Sequence, residues 1–127
     1  MKKYVVGALF NDDGSNVALI LKNRPDFLNG KLNFIGGHIE SYDTSPLEAM
    51  KREAKEEAGV DVDWKFVSMY KDEGYEIFYF TTFSSAAYDS ATTLTDEVIV
   101  KCETNNLPAD TYQDVREFIA YVLNKNK

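Results

Sequence analysis

Ser45-Pro46-Leu47-Glu48-Ala49-Met50-Lys51-Arg52-Glu53-Ala54-Lys55-Glu56-Glu57-Ala58-Gly59 reads as one helix with its own start and stop. A serine N-cap, a proline at the first helical position and a glutamate three residues after the serine make a capping box, and the glycine ends the run. Taking about 100° per residue from Glu53, Leu47, Met50, Ala54 and Ala58 cluster between about 60° and 140°, whereas Glu53, Glu56 and Glu57 span about −60° to 40°. One flank is expected to be core, the adjoining flank an acidic site, and the sector of Glu48, Lys51, Arg52 and Lys55 a solvated surface. Like charges three and four residues apart destabilise a helix by about 0.2–0.5 kcal/mol per pair, so a bound cation is a natural compensation. Oxygen-only ligands suit a hard divalent ion, Mg2+ first and Mn2+ second, rather than zinc.

Upstream of this helix, Tyr4 to Phe10 and Val17 to Leu21 read as a hairpin about Asn11-Asp12-Asp13-Gly14. Arg24 to Gly30 is a loop, and Lys31 to Ile35 an extended piece that feeds the glycine pair Gly36-Gly37. Downstream, Val62 to Tyr70 and Tyr75 to Phe83 read as strands, Ser84 to Thr95 as a polar stretch, and Glu97 to Cys102 as a further strand. Val115, Phe118, Ile119 and Val122 recur at the helical period, with Asp110 or Thr111 as the cap of a last helix that covers a sheet. This order predicts an α/β domain, a mixed sheet flanked by helices.

Gly36-Gly37-His38-Ile39-Glu40, Glu48-Ala49 and Arg52-Glu53-Ala54-Lys55-Glu56-Glu57-Ala58-Gly59-Val60 together resemble the signature of the Nudix hydrolases. The second half fits the family pattern throughout, while the first half departs from it. The family places a glutamate where Asp43 stands, six residues after the second glycine, and Arg52 comes one residue late. A one-residue insertion between Glu40 and Pro46 accounts for both, with Asp43 or Thr44 standing in for the glutamate.

The resemblance implies a Nudix-type α/β/α sandwich over residues 1–127 and Mg2+-dependent hydrolysis of a nucleoside diphosphate-linked substrate, with Mn2+ as the substitute ion. It implies Glu53, Glu56 and Glu57 as metal ligands oriented by Arg52, with the backbone at Gly37 beside them. Glu97, or its neighbour Asp96, resembles the further carboxylate from a distant loop that acts as ligand or base; Glu40 is a weaker candidate for the same cluster, and His38, the sole histidine, a weaker candidate for proton transfer outside the family pattern. The run Leu21-Lys22-Asn23-Arg24-Pro25 with Gly30-Lys31-Leu32-Asn33-Phe34 resembles the branch acting on nucleoside triphosphates, oxidised purine nucleotides included. Asn33 is then the base contact, and Gly36 and Gly37 the points of close backbone approach; Lys22, Arg24, Lys31 and Arg52 are candidate local cations for the phosphates on charge alone, with plain solubility the preferred reading of Lys31. The products would be the monophosphate and pyrophosphate. The alternatives are ADP-ribose, a dinucleotide or a nucleotide sugar as substrate, or a non-catalytic nucleotide-binding domain.

Bulk properties agree with a small enzyme. At 127 residues and 44% hydrophobic content the chain has room for one domain with a real core. A net charge of −7 and a pI near 4.7 argue against an extended nucleic-acid partner, which needs a basic stripe. No apolar run approaches the roughly 18 residues of a membrane span, and the N-terminal pattern is too short for a secretory signal, so a cytoplasmic location is expected. The expected partner is a small-molecule nucleotide, with a homodimer allowed but not required. Cys102 is the sole cysteine and is expected to serve packing.

Overall fold

The computed structural model describes residues 1–125. The first hairpin forms as expected, from β1 (Lys2–Phe10) and β2 (Asn16–Leu21). Asn11 Oδ1 accepts from the Asn16 N–H at 2.9 Å, and Gly14 turns the chain at φ 76°, a left-handed conformation that costs glycine little. The two strands pair only at their closed end, Leu9 with Ala18 and Phe10 with Val17. Beyond that they splay, and residues 32–38 fill the opening. β3 (Leu32–Asn33) pairs with β2, and β4 (Ile35–His38) runs antiparallel to β1 with Val5 opposite Gly37 and Val6 opposite Gly36. The glycine pair therefore lies inside a strand.

β5 (Lys65–Asp72) and β6 (Tyr75–Phe83) form the second hairpin, and β6 runs parallel to the whole of β1. β5 starts later than Val62 because Val62 and Trp64 turn into the core instead. β7 (Val98–Glu103) is antiparallel to β2 and completes a mixed seven-stranded sheet. Among the described residues the α-helices that pack with it are α1 (Pro46–Ala58), α2 (Ser85–Ser90) and α3 (Gln113–Lys125).

Period-2 alternation along β1 divides the core in two. Val5 and Leu9 join Met50, Ala54 and Ala58 of α1, with Trp64 and Phe80; Ala8 and Phe10 join Val115, Phe118, Ile119 and Val122 of α3. Fully burying such a Val, Leu, Ile, Phe or Met side chain contributes about 1.5–3 kcal/mol, so both helix faces are fixed by the sheet. Cys102 is buried in the α3-side cluster, as its packing reading anticipates.

Three sequence expectations are corrected. The polar stretch from Ser84 contains α2, started by Ser84 Oγ accepting from the Ala87 N–H at 3.1 Å. Neither Asp110 nor Thr111 immediately precedes α3, which begins at Gln113: Thr111 is buried in a parallel bridge to Leu32, and the Tyr112 N–H donates to the Leu32 carbonyl at 2.9 Å. Pairing with β3 takes the residues that would otherwise cap the helix. Leu47, expected in the core flank of α1, is exposed, while Ala49 and Glu57 are buried. No helix among the described residues is long and apolar enough to cross a membrane.

Candidate active site

The chemistry-bearing residues of α1 sit where the sequence signals place the helix. Ser45 Oγ accepts from the Glu48 N–H at 3.1 Å, and Gly59 ends the helix in the left-handed region at φ 70°. The buried arc is turned from the expected one, so that Glu57 lies within it rather than beside it. Glu57 is 9% exposed, and its Oε1 accepts from the Gly36 N–H at 2.9 Å. Burial pushes its carboxyl up to about 8; the Gly36 bond works against that rise, and the Glu53 charge adds to it.

Glu53, one turn earlier, faces the bare Cα of Gly37. A Cβ at Gly37 would come within 2.7 Å of Glu53 Oε2, and one at Gly36 within 2.0 Å of the Val5 carbonyl oxygen. Both glycines are thus needed for close approach, Gly37 to the carboxylate and Gly36 to β1. Burial also raises the Glu53 carboxyl, with the Arg52 hydrogen bond opposing.

Arg52 organises the outer side. Its guanidinium donates to Asp43 through Nε and Nη2, both at 2.9 Å, to Glu53 at 2.8 Å, to Glu56 at 3.2 Å and to the His38 carbonyl at 3.0 Å. The fork holds the Asp43 carboxyl below its usual range, and Asp43 in turn raises the guanidinium pKa. Of the two residues offered as the glutamate stand-in, Asp43 makes the contact with Arg52. Tyr42, which the sequence reading did not single out, lies under Arg52 with the guanidinium carbon 5.4 Å from its ring centroid. Nothing in its spacing marks it, because the contact depends on the fold of the loop between Glu40 and Pro46.

The other candidates divide. Glu97 is buried and accepts from Lys22 Nζ and from the Asn23 N–H, both at 2.9 Å. Arg24 and Asn23 hold Asp96 at 2.7 and 3.2 Å, so Lys22 and Arg24 are both engaged by carboxylates. Asn33 is half-buried on β3, with its Oδ1 accepting from the Phe34 N–H at 2.7 Å. The His38 ring is at the surface, 4.5 Å from Tyr4, and Glu40 is exposed.

Among the described residues, no three His, Cys, Asp or Glu side chains gather closely enough to hold a metal ion. The anticipated set of Glu53, Glu56, Glu57 and Glu97 is therefore not drawn into one cluster: Glu56 points outward to Arg52, and Glu97 is held by Lys22. The donor chemistry nevertheless fits a hard divalent cation. The available donors are oxygens, Glu53 and Glu57 are largely removed from water, and Gly37 leaves open the space beside Glu53 that a Cβ would occupy. Two partly buried carboxylates one helical turn apart would be relieved by such an ion.

Comparison with known proteins gives a consistent result. The NUDIX domain family model matches residues 1–122. A structure from work on MutT of the fish pathogen Aliivibrio salmonicida and of Vibrio cholerae superposes with a TM-score of 0.75 at 19% identity, covering 98% of both chains. MutT NUDIX hydrolase from Burkholderia pseudomallei gives 0.75 at 17% identity, over 95% of this chain and 97% of that one. The NUDIX domain of Shewanella oneidensis NrtR, complexed with ADP ribose, gives 0.82 at 16% identity, over 98% of this chain and 88% of that one. At these identities the superpositions speak for the fold. No curated protein sequence matches the chain.

Proposed function

The chain belongs to the Nudix family and is a Nudix pyrophosphohydrolase, and from that premise we propose that residues 1–127 form one domain that hydrolyses a nucleoside triphosphate to the monophosphate and pyrophosphate, with Mg2+ as cofactor. The observation that carries the reading is the pair Glu53 and Glu57, packed against the Gly36-Gly37 strand with Glu57 fixed by the Gly36 N–H. A carboxylate kept there at the expense of hydration has little structural use, whereas a site that must neutralise a diphosphate needs it.

Glu53, Glu56 and Glu57, with Glu97 and the backbone at Gly37, would hold the cation. When bound, Mg2+ or Mn2+ supplies charge neutralisation of the diphosphate and a lower pKa for a water. Arg52 orients Glu53 and Glu56 through its bonds to both. A carboxylate of this set takes the water proton; the water oxygen forms the new P–O bond, and the bridging P–O bond breaks with its electron pair leaving on pyrophosphate. Arg24 and Lys22 serve the phosphates, and Asn33 a purine edge, oxidised or modified bases included. The expected location is the cytoplasm.

A second reading, hydrolysis of ADP-ribose, a dinucleotide or a nucleotide sugar, is favoured by the 0.82 superposition on the ADP ribose complex. A non-catalytic nucleotide-binding domain is the third, and Arg52, Glu53, Glu56 and Glu57 being all present speaks against it. The deciding experiment follows product identity across a panel of nucleotides and ADP-ribose, with and without Mg2+. Turnover of a triphosphate to monophosphate and pyrophosphate is expected, and Glu57→Gln should lower it at least about tenfold, equivalent to ~1.4 kcal/mol of barrier. Unchanged turnover in that variant sinks the proposal.

A further inference from the structure

Glu97 has both carboxylate oxygens engaged by the protein itself, one by an ammonium and one by a backbone N–H. The β2–β7 register explains why. The ladder ends with Leu21 opposite Val98, and immediately beyond it Lys22 bonds Glu97 and Asn23 bonds Asp96. The Lys22 and Glu97 side chains are 17% and 5% exposed, which leaves their 2.9 Å ion pair little screened by solvent. A flexible, compact cation therefore occupies one oxygen of the carboxylate that the proposed function assigns to a divalent ion.

Building on that proposed function, we infer that Lys22 is a resident counter-ion for Glu97: it latches the carboxylate in the metal-free protein, competes with a divalent cation for it, and yields it when the cation binds. The Asn23 N–H bond is a backbone contact that survives the exchange, so Glu97 keeps one anchor while its other oxygen changes partner. The released ammonium is then available to a phosphate oxygen of the substrate. Lys22 is in this sense a positioning residue that sets the affinity of the site for its ion.

The test is Mn2+ binding to the full chain, followed by the electron paramagnetic resonance of the free ion, in wild type, Lys22→Met and Lys22→Gln. Removing the competitor should tighten Mn2+ binding by about tenfold, because in wild type only the fraction of molecules with the ion pair open can offer that oxygen to the ion. In chelator, the variants should melt below wild type, and the gap should narrow as Mn2+ is added, because the ion takes over the charge Lys22 supplied. Lys22→Gln keeps a donor for Glu97 and serves as the folded variant should Lys22→Met not fold. Equal or weaker Mn2+ binding in the variants overturns the latch alone. No Mn2+ binding by any of the proteins overturns the metal reading and the latch with it.

Discussion

Arg52 is the residue on which the outer half of the site turns. Its five donors are spread over Asp43, Glu53, Glu56 and the His38 carbonyl, with the Tyr42 ring beneath. Asp43→Ala removes the bidentate partner and frees the fork to collapse onto Glu53; kcat/KM is expected to fall by about tenfold, ~1.4 kcal/mol in barrier, with circular dichroism unchanged. Gly37 acts by absence of a side chain. Gly37→Ala places a methyl 2.7 Å from Glu53 Oε2, so the carboxylate must move, and Mn2+ affinity should drop together with turnover. A variant that binds Mn2+ as wild type would show that Glu53 is not a ligand.

At the scale of the element, α1 carries its own punctuation, and its energetic worth can be measured. Ser45→Ala removes the acceptor for the Glu48 N–H, which should cost about 1 kcal/mol in urea unfolding, with an unchanged slope. The same helix shows what amphipathic reading misses. Leu47 is apolar but exposed in the first turn, while Glu57 is charged and buried. Hydrophobic periodicity assigns faces by residue type, whereas the neighbouring β4 offers the Gly36 N–H to Glu57 Oε1 and so lets a glutamate occupy a core position.

At the scale of the whole molecule, the sheet's two faces have different functions. The α1 face brings the carboxylates to the glycine strand, and the α3 face is packing. Phe10, fully buried on the α3 side and stacked on Phe83 with ring centroids 4.8 Å apart, should cost about 3–5 kcal/mol as Phe10→Ala while leaving the residual folded protein active. Tyr79 ties β6 to Phe118 of α3 at 4.9 Å, and burial, reinforced by the Asp114 charge, pushes its hydroxyl up to about 12. Between an unfolded value near 10 and this folded one, the unfolded chain loses the proton first. The stability tied to Tyr79 is thus intact below about pH 10 and is lost as pH rises towards 12. Tyr79→Phe should flatten that part of the alkaline unfolding curve; an unaltered curve would place Tyr79 in water.

Legible in the sequence were α1 and its boundaries, both hairpins, the apolar face of the closing helix and the pairing of Arg52 with Glu56 one turn on, because capping, turn chemistry and periodicity are local and each is written within a few residues. The sequence left Asp43 and Thr44 both open as the stand-in for the family's glutamate, and the bond to Arg52 falls to Asp43. What only the tertiary structure decided is which groups meet across long separations. The splayed β1–β2 hairpin places the glycine strand against α1, and the β2–β7 register sets Lys22 beside Glu97, 75 positions apart in the chain. Such pairings depend on strand register, which the whole core fixes jointly, so no short stretch of sequence contains them.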